Sequence, residues 1–163
     1  MRVVPRRLRP VLAIFDIDGV VADVRHRLHH LERRRWLRFF DAADRDPLLA
    51  QGAALVADLA AQHDLVWLTG RPEWLRSVTT QWLRVHGLPG DELHMRPDGD
   101  YRPARVYKLE VLDGLADRGI AAFVDDDEDV VQAALRRGYP AVLADWVPRE
   151  NVLRRAQERD GRT

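Results

Sequence analysis

The chain has 163 residues, about one domain's worth, with 26 basic and 26 acidic side chains that cancel and no cysteine. The missing sulfur excludes a zinc ribbon, a disulfide scaffold and a cysteine nucleophile, and zero net charge argues against a surface coated in positive charge that holds DNA non-specifically. A hydrophobic fraction of 46% is enough for a core, and a charged fraction of 32% for a soluble surface.

The first ten residues carry Arg2, Arg6, Arg7 and Arg9 but no secretory h-region, and no stretch approaches the roughly 20 apolar residues that span a bilayer. A cytoplasmic protein is expected. Val11 to Phe15 is a continuous apolar run of the kind buried on both faces of a parallel sheet. About thirty residues separate it from the next helical pattern, a connection whose length in a compact α/β domain points to a lid or binding loop. This insert, residues 24–47, is rich in arginine and holds His26, His29 and His30 together with Trp36, Phe39 and Phe40. The three histidines read as ordinary polar surface. Phe39 and Phe40 read first as anchors of a small helical cap, and second as bases' stacking partners.

Apolar residues at steps of three and four then predict helices over Leu48 to Gln62, Glu73 to His86, Val106 to Arg118 and Glu128 to Arg137. Between them lie short apolar runs, Leu65 to Leu68, a weaker Leu93 to Met95, Ile120 to Val124 and Ala141 to Ala144. Gly87, Gly119 and Gly138 each stand where a glycine stops a helix. Arg149 to Thr163 reads as a terminal helix that frays. The alternation implies an α/β fold, a Rossmann-like doubly wound parallel sheet of about five strands in a single domain, residues 1–163, with the cap inserted after strand 1.

In such a sheet ligands bind beyond the carboxyl ends of the strands. The first strand ends in Asp16-Ile17-Asp18-Gly19-Val20, the second in Thr69-Gly70-Arg71 and the fourth in Asp125-Asp126-Asp127-Glu128-Asp129. Lys108, which opens the helix before the fourth strand, is the only lysine beside twenty-five arginines. Carboxylates from two strands with a hydroxyl and a cation beside them suit phosphoryl transfer through a carboxyl phosphate. A carboxylate attacks phosphorus only when both negative charges are neutralised, which calls for a hard divalent cation. Asp16 would be nucleophile and metal ligand, with Asp125 as second carboxylate. Asp18, pointing away from the metal, would be acid to the leaving oxygen and then base to water. Gly19 permits the tight turn, the Thr69 hydroxyl would hold phosphate oxygens, and Lys108 would balance developing charge.

These four segments resemble the motifs of the haloacid dehalogenase (HAD) superfamily of phosphohydrolases. The resemblance implies Mg²⁺ held by Asp16, the backbone carbonyl of Asp18, and Asp125. Asp126 has two readings, metal ligand through water or orienter of Lys108, and Asp129 stands further along the same acidic run. A narrower resemblance, from about Val11 to Trp146, is to the phosphatase half of the polynucleotide kinase/3′-phosphatase family. It is carried by Arg96-Pro97-Asp98-Gly99-Asp100-Tyr101-Arg102 before Lys108, by Gly70-Arg71, by Trp82-Leu83, and by Asp125-Asp126 followed by Val130-Val131 and Gly138. It implies that Gly70, Arg71, Arg96 and Arg102 bind the terminal phosphate of a DNA or RNA 3′ end. No Gly-x-x-x-x-Gly-Lys-Ser/Thr run is present, so a kinase or ligase activity is expected on a separate chain. Two alternatives remain open, a phosphatase of nucleotides or other small molecules and a catalytically silent nucleic-acid-binding module.

Overall fold

A computed structural model describes residues 11–163. The basic stretch with Arg2, Arg6, Arg7 and Arg9 lies outside the described residues. Five strands form one parallel sheet: β1 (Leu12–Phe15), β2 (Asp64–Pro72), β3 (Glu92–Arg96), β4 (Ile120–Asp125) and β5 (Ala141–Leu143), in the order β3-β2-β1-β4-β5. Each strand falls within two residues of its apolar run, except that β2 continues through Thr69-Gly70-Arg71-Pro72. That segment belongs to the strand, with an irregularity in its pairing to β3 between Thr69 and Pro72, and it carries the side chains of Thr69 and Arg71 deep into the fold.

Alternate residues of a strand face opposite sides, and β1 shows the consequence directly. Ala13 and Phe15 join Leu65, Trp67, Val56, Trp82 and Leu83 in one core, beneath α3 (Ala50–Ala60) and α4 (Arg76–Val85). Leu12 and Ile14 join Val66, Leu68, Tyr107, Leu112 and Phe123 in the other, beneath α5 (Ala104–Leu115) and α6 (Glu128–Arg136). Helices therefore cover both faces, and the central strand β1 is buried along its whole length. Burying each large apolar side chain contributes roughly 1.5–3 kcal/mol.

The insert after β1 forms two short helices, α1 (His29–Glu32) and α2 (Trp36–Asp41). Phe39 and Phe40 are buried in a third apolar cluster with Leu31, Leu75 and Met95. The same cluster takes Leu153 and Ala156 from α7 (Asn151–Glu158). The expectation of a fraying end is thus corrected. Apolar anchors fasten α7, and Thr163 beyond it is only 4% exposed. Among the described residues no helix is long and apolar enough to cross a membrane.

Candidate active site

The sheet order places a switch point between β1 and β4, where the chain leaves β1 toward β2 and β3 on one side and later returns to β4 and β5 on the other. The cleft beyond such a point is where α/β sheets bind ligands. Asp16 follows β1 there, and Asp125 ends β4.

The loop after β1 is a tight, fixed turn. The N–H groups of Val20, Val21 and Ala22 all donate to the Ile17 carbonyl, and Gly19 N–H donates to the Ala22 carbonyl at 2.9 Å. Gly19 sits at φ +75°, and a Cβ there would overlap the Asp126 carboxylate. Gly52 on α3 brings its backbone against the Val20 carbonyl so closely that no side chain fits between them. Trp146 Nε1 donates to that same carbonyl at 3.0 Å.

Two clusters that differ in charge balance adjoin this loop. In the first, Asp16, Asp125 and Asp126 are buried with oxygens within 4.8 Å of one another. Lys108 Nζ lies 2.7 Å from Asp125 Oδ2 and 3.0 Å from Asp16 Oδ2. Three carboxylates thus face one ammonium, leaving two negative charges without a partner. Asp16 Oδ1 and Asp126 Oδ1 are buried without a donor. Burial pushes Asp16 up to about 7, Lys108 opposes the rise, and the neighbouring Asp125 and Asp18 add to it. Asp126 is pushed well above the usual carboxylate range by burial, with Asp16 and Asp125 adding to the effect. Burial works to lower Lys108, but Asp125 and Asp16 overcome it and hold the ammonium charged. Three hard oxygen donors, two orphaned oxygens and a double negative excess fit one hard divalent cation.

In the second cluster, Asp18 and Asp46 face Arg27 and Arg71, all four buried, and the charges balance. Arg71 reaches Asp18 Oδ1 at 2.5 and 2.9 Å and Asp46 Oδ2 at 2.9 Å. Arg27 reaches Asp46 at 2.7 and 2.8 Å and Asp18 Oδ1 at 3.2 Å, and its guanidinium lies 4.1 Å from the Phe39 ring centroid. His26 Nε2 pairs with Asp46 Oδ1 at 2.7 Å. Burial tends to raise Asp18, but Arg71 and Arg27 prevail and bring it down to about 2.

The structure gathers most residues expected at the site and separates a few. Asp16, Asp125 and Asp126 meet as one trio with Lys108. Lys108 does not open its helix but lies in the second turn of α5. Thr69 is buried, its Oγ1 accepting from Arg71 N–H at 3.2 Å. Arg71, expected to bind phosphate, is instead engaged by Asp18, Asp46 and Thr79. Arg96 is buried and donates to the carbonyls of Gly70, Asp100, Arg102 and Thr163. Arg102 lies at the surface, bound to Asp100 and Glu110. Asp129 stands apart from the trio, beside Asp127 and Glu158. Asp46 escapes sequence reading as a site residue, and Arg27, which with Asp23 and His26 lies close enough in sequence to the loop after β1 to border the pocket mouth, is fully buried. Arg27 and Asp46 sit at either end of an arginine-rich insert, and nothing local in its pattern says that these two turn inward.

A five-stranded parallel sheet with helices on both faces and acidic groups at its switch point has the HAD-like Rossmann fold. Among solved structures, the magnesium-bound HAD hydrolase YfnB of Bacillus subtilis shares this fold with a TM-score of 0.59 at 11% identity, covering 83% of this chain and 88% of its own. A haloacid dehalogenase-like hydrolase of Streptococcus pneumoniae does so with a TM-score of 0.56 at 12% identity, over 83% and 84% of the two chains. The sequence model of the polynucleotide kinase PNKP phosphatase domain matches residues 10–143, and the chain belongs to that family. A chain of the Pnkp1/Rnl/Hen1 RNA repair complex superposes with a TM-score of 0.71 at 23% identity, over 85% of this chain and 43% of its own. The present chain therefore spans less than half of that relative. No curated protein sequence matches it.

Proposed function

We propose that the chain is a cytoplasmic, Mg²⁺-dependent phosphomonoesterase that works through an aspartyl phosphate and removes 3′-phosphate from polynucleotide ends. The observation that carries the chemistry is the pair of adjoining clusters: Asp16, Asp125 and Asp126 around Lys108, beside Asp18 held apart from them by two arginines. Membership of the PNKP phosphatase family supports the substrate. The RNA repair complex containing the structural relative suggests a partner kinase or ligase.

Asp16, Asp125 and Asp126 would hold Mg²⁺, with the Asp18 carbonyl as a further ligand. The bound ion supplies the positive charge that lets an anionic nucleophile and an anionic phosphate approach each other. Asp16 Oδ1 forms a bond to phosphorus as the bond to the leaving oxygen breaks, and Asp18 gives that oxygen its proton. Asp18 then takes a proton from water, whose oxygen attacks phosphorus, releasing inorganic phosphate and restoring the Asp16 carboxylate. Lys108 holds Asp16 in place and offsets charge on the transferring group. Thr69 and the backbone near Gly70, with Arg96 behind it, border the phosphate.

The deciding measurement is phosphate release, with Mg²⁺, from a 3′-phosphorylated oligonucleotide, a nucleoside 3′-monophosphate and a small alkyl phosphate. The oligonucleotide is expected to give the highest kcat/KM. Preference for either smaller compound refutes the polynucleotide substrate, and release unchanged by Asp16→Asn refutes the chemistry.

A further inference from the structure

Residues 161–163 follow α7 and reach Asp18 and the end of β2. A Cβ on Gly70 would overlap the carbonyl carbon of Thr163, so the tail lies flat against the strand that carries Thr69 and Arg71. Arg96 Nη2 donates to the Thr163 carbonyl at 3.4 Å. Arg71 and Arg27 occupy Asp18 Oδ1, which leaves Oδ2 facing the cleft, and there the Thr163 hydroxyl donates at 3.4 Å. A threonine hydroxyl is a secondary alcohol, like the hydroxyl that a sugar 3′-phosphate leaves behind.

The approach to this position is also shaped. Gly161 turns the chain with φ +57°, and a Cβ there would overlap the Tyr101 carbonyl. Arg162 lays its flat guanidinium 4.3 Å from the Tyr101 ring centroid and 5.3 Å from that of Trp36. The same two rings, with Phe40 and Trp74, line a groove of about 170 Å³ that reaches Arg96. A flat cation held by aromatic rings occupies a place that also accepts the flat face of a nucleobase.

We infer that residues 161–163 are an internal product mimic, filling a leaving-group subsite that otherwise takes the 3′-hydroxyl sugar and its base. Thr163 stands for the sugar alcohol at Asp18, and Arg162 stands for the base at Trp36 and Tyr101. The inference rests on the proposed phosphatase reading for the identity of the ligand. Substrate binds only the fraction of molecules whose tail is out, so the docked tail weakens apparent affinity by that fraction.

The test compares the full chain with Gly161→Ala, which expels the tail by overlap, and with a chain lacking residues 161–163. Binding of an oligonucleotide with a free 3′-hydroxyl is measured by calorimetry, and hydrogen exchange follows the amides of residues 159–162. Both variants are expected to bind at least fivefold more tightly than the full chain. Saturating oligonucleotide should speed exchange of those amides in the full chain. Equal or weaker binding in the variants, no binding to any chain, or slower exchange on saturation each overturns the inference. Phosphate release is assayed in parallel on all three chains. Its absence throughout counts against the proposed activity alone, because neither binding nor exchange requires turnover.

Discussion

Asp46 is the group whose loss should be felt most without touching a reacting atom. It is buried at the end of the insert and accepts hydrogen bonds from Arg27 and Arg71 at 2.7 to 2.9 Å. Asp46→Asn keeps the shape and removes the charge, so Asp18 alone must serve two buried guanidinium groups. Breaking a buried ion pair from one side costs about 3–5 kcal/mol, because the cation left behind has no water to replace its partner. In a domain of this size each kcal/mol lowers Tm by about 2–4 °C, so thermal unfolding should shift down by about 6–20 °C. A second change refines the argument. Adding Arg27→Met to Asp46→Asn removes one surplus cation and should recover more than half of the lost Tm, as groups sharing one network do not act additively. A shift below about 3 °C for the single variant, or further loss in the double variant, refutes the claim that charge balance holds this cluster together.

Lys108→Arg should fold with Tm near that of the parent yet lose at least about 100-fold in kcat, since the planar fork is too broad for the space in which one nitrogen meets Asp16 and Asp125. Near-parental turnover would count against that fit. Mg²⁺ should raise Tm in the parent chain, and Asp125→Asn should abolish most of the rise, as differential scanning calorimetry with and without chelator will report. On α7, burial raises Glu158 to about 7, with Asp127 adding to the rise, and the buried oxygens Glu158 Oε1 and Asp127 Oδ2 have no other donor. The folded state therefore holds a proton that the unfolded chain releases near 4.5. The resulting stabilisation of the docked α7 is fullest at low pH and is lost as pH rises through about 7. Hydrogen exchange of α7, corrected for intrinsic rates, should accelerate over that window in the parent but not in Glu158→Gln.

The parts legible in the sequence were those written in local pattern. β1 is readable because its apolar run is continuous, and Asp16 and Asp125 are readable because they stand where two such runs end. The stops at Gly87, Gly119 and Gly138 follow from positive φ values that glycine adopts most readily. What stayed hidden depends on distance in the chain. Asp46 pairs with Arg71, twenty-five residues away, and Thr163 reaches Asp18 across 145 residues. Neither contact leaves a periodic trace, and in an insert rich in arginine nothing marks Arg27 as the one that is buried. Arg162, within the segment that reads as a fraying helix, is hidden in the same way, since the rings beside it belong to the distant Trp36 and Tyr101.

Asp16 and Asp18 stand two residues apart on one turn, yet their surroundings drive them in opposite directions, Asp16 to about 7 and Asp18 to about 2. Neighbouring carboxyl groups pushed apart in this way take different chemical duties. Asp16 lies among like charges, and a divalent cation would relieve that repulsion and expose its lone pairs for attack. Asp18 lies among opposite charges and is a carboxylate in the docked state, suited to receive a proton from water. To give a proton it must first gain one, and an anionic phosphate arriving beside it raises its affinity for a proton by like-charge repulsion.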